Sequence, residues 1–139
     1  MRASPASLAG CLAAVALTLS ACATPHHGAC AGGDRRRTVE LIFGRSIKGA
    51  ADVSETDFAD FLDKDVSSRF PLGLTVTDAQ GRWRSADGQF VREPSKMVLI
   101  VLPGSPDDRT KLEAVRQAYK QRFHQEAVLQ VLSHACVSF

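Results

Sequence analysis

MVLIVL, at positions 97–102, is an uninterrupted run of six apolar residues. A strand that is apolar at every position is typical of the centre of a sheet, where both faces are covered. Ser105 and Pro106 follow shortly afterwards and are typical of the start of a helix. The sequence therefore predicts a central β-strand over this run, and the remaining elements are assigned outward from it.

Two strands and a helix are predicted before this run. Residues 39–43 are rich in β-branched and aromatic side chains and predict a first strand. Ser54, followed three residues later by Asp57, has the spacing of a helix capping box, and Pro71 prevents the helix from continuing. Alternating apolar residues at 72–76 predict a second strand.

Two turn signals separate this second strand from the central one. They are Asp78–Gly81 and Ser85–Gly88, and they predict a short extra hairpin whose second arm ends at Pro94. A second amphipathic helix follows the central strand, and residues 128–139 predict a final strand. The predicted order is therefore βαββαβ, with a hairpin extension between strands 2 and 3.

This order favours an α+β fold of the ferredoxin-like type, in which an antiparallel sheet carries both helices on one face. The other face then needs a cover, because the central strand is apolar on both sides. The cover could be the hairpin with Trp83 and Phe90, a second copy of the chain, or a ligand. We expect a homodimer through the uncovered face or an apolar pocket, and the sequence does not separate these alternatives.

Residues 1–21 have the features of a secretory signal peptide: a basic start, an uncharged apolar run and small residues at the end. Leu19-Ser20-Ala21-Cys22 resembles the bacterial lipobox, which predicts lipidation at Cys22. The same pattern ends at Cys11 but lies too close to Arg2 to follow a full apolar run. The alternatives are an N-terminal membrane anchor and ordinary cleavage near Ala23 without a lipid.

A flexible tether over residues 22–37 and a single domain over residues 38–139 are predicted next. Acyl chains on Cys22 would hold the protein on a bilayer. The residue after the lipidated cysteine is Ala23 and not Asp. By resemblance to lipoprotein sorting in diderm bacteria, this favours the periplasmic side of the outer membrane. The 17 basic and 15 acidic residues give a net charge of +2. This small excess does not indicate the strongly basic surface that is typical of nucleic-acid-binding proteins.

Four cysteines occur in the chain, and two of them, Cys30 and Cys136, are left once Cys11 and Cys22 are assigned to the signal peptide and the lipid. In an oxidising compartment these two predict a disulfide. Two unpaired thiols or a metal pair are the alternatives. His26 and His27 lie near Cys30, but ligands on a flexible tether are a weak metal signal, and we expect no metal.

Several segments of the domain together resemble one bacterial family, the domain of unknown function 3574. They are Glu40–Ser46, Arg69–Val76, Gly81–Arg84, Arg92–Lys96 and Cys136–Phe139. The family is found in short secreted or lipobox-bearing proteins, so the resemblance implies an envelope protein. It implies no activity, cofactor or catalytic residue.

No nucleophile elbow, phosphate-binding loop, dinucleotide fingerprint or zinc-protease motif is present in the sequence, so no catalytic residue and no cofactor are predicted. Basic side chains at strand ends and around the only tryptophan could hold an anionic or aromatic ligand. The alternative is that these charges pair with nearby carboxylates while the indole covers the sheet. The candidate ligand-binding residues are Arg45, Arg69, Trp83, Arg92, Lys96 and His124.

We therefore expect a lipid-anchored envelope protein that binds a small ligand or a partner and is not an enzyme. The alternatives are a cofactor-independent enzyme of the dimeric α+β barrel type, with His124 or an arginine in the catalytic role, and a membrane-tethered assembly factor.

Overall fold

The structure, a computed structural model, describes Cys30, residues 32–85 and residues 87–139. The predicted signal peptide, the predicted lipidation site Cys22 and most of the predicted tether lie outside these residues. Within the described ranges no helix has the length and apolar character needed to cross a membrane.

Four strands form one antiparallel sheet in the order β2-β3-β1-β4. The elements along the chain are β1 (Asp34–Gly44), α1 (Glu55–Phe61) with a π-helical continuation (Leu62–Ser67), β2 (Thr75–Arg84), β3 (Phe90–Val101), α2 (Asp108–Phe123) and β4 (Leu129–Val137). This arrangement confirms the predicted α+β, ferredoxin-like βαββαβ fold.

Both helices pack on the same face of the sheet. Alternate residues of β1, such as Leu41 and Phe43, are fully buried together with Phe61 of α1 and Tyr119 of α2. Phe43 lies at the centre of this core, with its ring centroid 4.6 Å from that of Tyr119 and 5.5 Å from that of Phe61. Edge-to-face packing at such distances adds about 0.5–1.5 kcal/mol per pair beyond area burial.

Two side chains fix the ends of elements around this core. The hydroxyl oxygen of Ser54 accepts the backbone N–H of Asp57 at 3.0 Å, so the predicted cap of α1 is confirmed. The buried hydroxyl of Tyr119 donates to the carbonyl oxygen of Gly44 at 2.8 Å. That bond joins the middle of α2 to the end of β1.

The predicted extra hairpin is wrong in its details, because β2 and β3 form one continuous long hairpin. Asp78–Gly81, predicted as a turn, lies inside β2, where Asp78 pairs with Lys96 across the ladder. Pro94 does not interrupt β3 either. In an antiparallel ladder, hydrogen-bonded and non-hydrogen-bonded residue pairs alternate, and the bond from the Ser85 N–H to the Gln89 carbonyl shows which pairs are bonded. Pro94 falls in a non-hydrogen-bonded pair, so its nitrogen points away from β2 and no bond to β2 is lost there.

The sequence placed residues 34–37 in the tether, but β1 begins at Asp34 and these residues are part of that strand. These residues pair with β4, from Asp34 opposite Val137 to Arg37 opposite His134. Arg37 also donates to the buried carboxylate of Asp108 at 3.1 Å. Pairing along β4 and this ion pair extend the strand through a polar segment that has no hydrophobic periodicity.

The start of α2 also lies later than Ser105 and Pro106 indicate. These two residues form a turn in which the Asp108 N–H donates to the Ser105 carbonyl at 3.2 Å. The Asp108 carboxylate accepts the Gly104 N–H at 3.0 Å. A buried acid, bonded to the chain in front of the helix, therefore replaces the predicted serine cap.

Cys30 and Cys136 are joined by a disulfide, as predicted from the cysteine count, with their Cα atoms 5.3 Å apart. Cys136 lies in β4 opposite Arg35. The bond therefore ties the residue that precedes the sheet to the last strand, across a sequence separation of 106 residues.

Candidate functional site

The face of the sheet away from the helices, here called the open face, carries the alternate residues of each strand that do not enter the core. Leu99 of β3 and Leu129 and Val131 of β4 are exposed there, with 36%, 57% and 40% of their surface accessible. Trp83 lies on this face, whereas Phe90 lies on the other and stacks with Arg84. The hairpin therefore covers the open face only in part, and the homodimer remains a prediction.

A cavity of about 380 Å³ opens on this face at the end of the sheet where β1 finishes. We call it the Glu93 cleft. Most of its walls are apolar side chains and glycine backbone. The lining residues are Ile42, Gly44, Ala79, Gln80, Gly81, Arg82, Trp83, Glu93, Ser95, Gln125, Ala127 and Leu129.

The Glu93 side chain extends across two glycines of the neighbouring strands. A Cβ atom at Gly44 would lie 2.6 Å from Glu93 Oε1, and one at Gly81 would lie 3.5 Å from Glu93 Cγ and 3.0 Å from Ser95 Oγ. A distance of 2.6 Å is far inside van der Waals contact. The carboxylate can therefore occupy this position only because residue 44 has no side chain.

Burial raises the pKa of Glu93 above its usual value. The backbone N–H of Ser46 and the indole N–H of Trp83 offset this in part, and the nearby charge of Asp52 adds to the rise. In the described part of the chain, none of the ion pairs includes Glu93. The cleft thus contains a carboxylate that is partly withdrawn from water and has no basic partner among the residues that the structure describes.

A second cavity, of about 450 Å³, adjoins the first and shares with it the wall formed by Trp83, Glu93 and Gln125. Its other side is more polar and includes Lys48, His124 and Glu126, and Lys48 forms no ion pair with Glu93. His124 ends α2 in a left-handed conformation with φ of 53°. The following Gln125 donates its side-chain N–H to the Ser46 carbonyl at 2.8 Å, which fixes this loop against the end of β1.

Of the six predicted ligand-binding residues, the structure places only Trp83 and His124 at these cavities, on the walls of the second one. The basic residues do not gather around the indole. Arg45 and Lys96 both pair with Glu55, on the helix side of the sheet. The predicted arginine cluster is therefore not assembled.

The other two predicted basic residues are also separated from the cleft. Arg69 pairs with Asp65 at 3.4 Å, one turn back along the chain. Arg92 lies opposite Arg82 in the hairpin, on the face opposite to Trp83. The alternation of side chains along a strand separates these arginines from the indole, although they are its sequence neighbours.

Sequence reasoning missed the residue at the centre of the site, Glu93. A single glutamate between Arg92 and Pro94 carries no pattern of its own. The available signal was the set of segments on which the family resemblance rests. Three of them, Glu40–Ser46, Gly81–Arg84 and Arg92–Lys96, meet at the Glu93 cleft.

Among the described residues no group of three or more His, Cys, Asp or Glu side chains has a geometry that could hold a metal ion. The site is therefore described by its carboxylate, its indole and its apolar walls.

Fold and cleft together define a small α+β domain of the ferredoxin-like type with a ligand-sized cavity on its open face. The chain belongs to the family described as "Protein of unknown function (DUF3574)", which it matches over residues 38–139. No curated protein matches the chain.

Several solved structures are similar to this chain, and two structures of a phage SAM lyase share its fold. A phage SAM lyase in complex with S-methyl-5'-thioadenosine has 18% sequence identity and a TM-score of 0.58, with 80% of this chain and 95% of that chain covered. The apo form of a phage SAM lyase has 20% identity and a TM-score of 0.55, with coverages of 72% and 81%. CutA from Synechococcus elongatus has 12% identity and a TM-score of 0.48, with coverages of 73% and 78%.

Proposed function

We propose that this chain is a lipid-anchored protein of the bacterial cell envelope whose domain binds a small organic molecule in the Glu93 cleft. The signal-peptide pattern of residues 1–21 and the lipobox ending at Cys22 support the location. The disulfide between Cys30 and Cys136 suits an oxidising compartment.

The observation that carries the binding function is the Glu93 carboxylate, which lies in a mostly apolar cavity and has no basic partner among the described residues. Burying a charge without a partner is unfavourable, and structures keep such a group where a ligand completes it. Small-molecule sites are commonly apolar cavities with a few convergent polar groups, and the Glu93 cleft has this composition. Binding is favoured over catalysis because the cleft assembles a single carboxylate and no nucleophile paired with a base.

Native mass spectrometry of the full lipidated protein, extracted in non-ionic detergent, tests this function. We expect a small organic mass retained by the wild type and lost in Glu93→Gln. Glu40→Gln is the matched control, since Glu40 lies on the open face but does not line the cleft. A bare wild-type protein that instead cross-links to one envelope protein in cells would contradict small-ligand binding and favour an assembly factor.

The location is tested by labelling cells with radioactive palmitate. Wild type and Cys11→Ser should incorporate label and sediment with membranes, whereas Cys22→Ser should carry no label. Label, and not sedimentation alone, is the readout, because an uncleaved signal peptide would also retain the protein on the membrane. Persistent label in Cys22→Ser would contradict the assignment.

The alternative function is a cofactor-independent enzyme that uses the same cleft. The observation that favours it is the shared fold with the phage SAM lyase that was solved with S-methyl-5'-thioadenosine. Incubation of the purified protein with S-adenosylmethionine, followed by chromatography for S-methyl-5'-thioadenosine, distinguishes the two. Release of this product by the wild type, and not by Glu93→Gln, would replace the binding function with catalysis.

A further inference from the structure

We propose that the ligand of the Glu93 cleft is an organic cation with an apolar or aromatic body, its positive charge on the Glu93 carboxylate and its body against Trp83. This inference rests on the binding function proposed above and specifies the chemical class of the ligand.

Charge is the first argument, and it comes from a comparison of Glu93 with the other carboxylates. Three acids on the helix side are paired: Glu55 and Asp78 with Lys96, and Asp60 with Lys64 and Arg122. Glu93 is less exposed than Glu55 and Asp78 and has no such partner in the described residues. Because desolvated carboxylates need compensation more than exposed ones do, the missing cation is best supplied from outside the chain.

Arg82 borders the cleft but does not supply that charge. It pairs with Arg92 across the hairpin, and its side chain starts on the face opposite to Trp83 and Gly81. Arg82 therefore contributes its backbone to the wall. Arg92, the basic residue next to Glu93 in the sequence, is also directed to the other side of the sheet.

The walls give the second argument. Ile42, Ala79, Ala127 and Leu129 present apolar surface to the cavity, and the indole of Trp83 closes one side. An aromatic ring attracts a cation over its face and packs well against another apolar group. A small inorganic ion would leave these walls without contacts, so the geometry favours a cation that carries an apolar body.

The space left by glycines is the third argument. Gly44 and Gly81 remove side chains at the two positions beneath Glu93. The carboxylate therefore lies close against the backbone of the sheet at Gly44. A ligand has to insert its charged end to reach it, which orients the body toward Trp83 and the opening.

Three probes with one phenyl body and different charges test the proposal: benzylammonium, benzyl alcohol and benzoate. Trp83 is the only tryptophan of the chain, so its fluorescence reports directly on the cleft. We titrate each probe into the full lipidated protein in non-ionic detergent at neutral pH. A charge-assisted contact should make benzylammonium bind at least about tenfold more tightly than benzyl alcohol, with benzoate weakest.

Glu93→Gln should abolish the preference for benzylammonium and leave the affinity for benzyl alcohol within about twofold, since the apolar walls remain. Glu40→Gln, a carboxylate removed from the same face outside the cleft, should retain the wild-type preference. This control separates a local contact from the general charge of the domain.

Each result decides between the two proposals. If benzyl alcohol or benzoate binds as tightly as benzylammonium, the proposal that the ligand is a cation is overturned, while the proposed binding function stands. If Glu93→Gln retains the preference, the assignment to Glu93 is overturned. If none of the probes changes the fluorescence of Trp83, the binding function of the cleft is itself contradicted.

Discussion

The carboxylate of Glu93 lies against the backbone of Gly44, so closely that a Cβ atom at position 44 would be 2.6 Å from Oε1 and 2.7 Å from Oε2. β1 and β3 bring the two residues together through the pairing of Gly44 with Ser95. The glycine is buried, and its φ is not in the left-handed region that favours glycine. Space for the Glu93 side chain, and not backbone freedom, is the constraint at residue 44.

Gly44→Ala should therefore displace the carboxylate without preventing folding. The clashing atoms belong to a flexible side chain that can move toward the opening of the cleft. We expect a loss of stability of about 1–3 kcal/mol, as for other overpacked sites, together with loss of the preference for benzylammonium. Denaturant unfolding and the fluorescence titration measure the two effects. A wild-type preference in Gly44→Ala would show that Glu93 does not act from this position.

The pKa of Glu93 predicts an unusual dependence of stability on pH. Its pKa is raised in the folded protein, mainly by burial, so the folded state holds this proton more strongly than the unfolded chain does. Protonated Glu93 therefore stabilises the folded state in acid, and this stabilisation is lost as the pH rises from the ordinary glutamate pKa through the raised pKa. Glu93→Gln should therefore melt at a higher temperature than the wild type at neutral pH, and the difference should shrink in acid.

Glu55→Gln is a control whose stability, relative to the wild type, should change with pH in the opposite direction. The hydrogen bond from Lys96, with the Arg45 bond and both positive charges, lowers the pKa of Glu55. Its stabilisation is present above the unfolded pKa and is lost as the pH falls, so this variant should lose stability at neutral pH and approach the wild type in acid. Melting curves from pH 4 to pH 7 compare the variants. Parallel curves for Glu93→Gln and the wild type would contradict the raised pKa.

Binding of benzylammonium should depend on pH in the same range. The ammonium stays charged, so affinity should rise as Glu93 ionises and fall as it takes up a proton. The two cavities also contain other charged groups near Glu93, and Glu93→Gln separates their effects because it should bind the cation with little pH dependence. The groups that line the cavities are Lys48, Arg82, Asp87, His124 and Glu126, and Asp52 lies close enough to Glu93 to raise its pKa.

Sequence patterns predicted the elements that are specified locally. The apolar run at 97–102 lies in β3 and its continuation, and the Ser54 cap begins α1, because an uninterrupted apolar run and a side-chain cap are both visible within a few residues. The ferredoxin-like order followed from these elements and from the handedness of their connections. The disulfide between Cys30 and Cys136 followed from counting.

Long-range contacts explain what the patterns did not predict. Asp78 and Gly81 are local turn signals, yet Asp78 meets Lys96 across the ladder and Gly81 makes room beside Glu93. Residues 34–37 have no apolar periodicity, yet pairing with β4 makes them a strand. The Glu93 cleft is formed by four strands and the loop before β4, so no short segment could identify it.

The disulfide should make a large contribution to stability because it joins residues 106 positions apart. Closing such a long loop restricts the unfolded chain, and bonds of this kind stabilise by about 2–4 kcal/mol. We expect that loss in the double variant Cys30→Ser/Cys136→Ser, measured by denaturant unfolding without reductant. Wild-type protein treated with reductant is the matched control and should unfold with the double variant. Equal stability in all three samples would contradict the prediction.

The hydroxyl of Tyr119 connects the core to the cleft, because it donates to the carbonyl of Gly44, the residue beneath Glu93. Tyr119→Phe keeps the ring and its aromatic contacts but leaves a buried carbonyl without this donor, which should cost about 1–3 kcal/mol of stability. The loosened end of β1 should also weaken benzylammonium binding more than benzyl alcohol binding, since only the cation depends on the position of Glu93. Thermal unfolding and the fluorescence titration measure the two effects. Phe43→Leu is the control, because it disturbs the same core without removing the hydrogen bond, and it should lower stability while retaining the preference for the cation. An equal loss of preference in both variants would show that the bond has no positioning role.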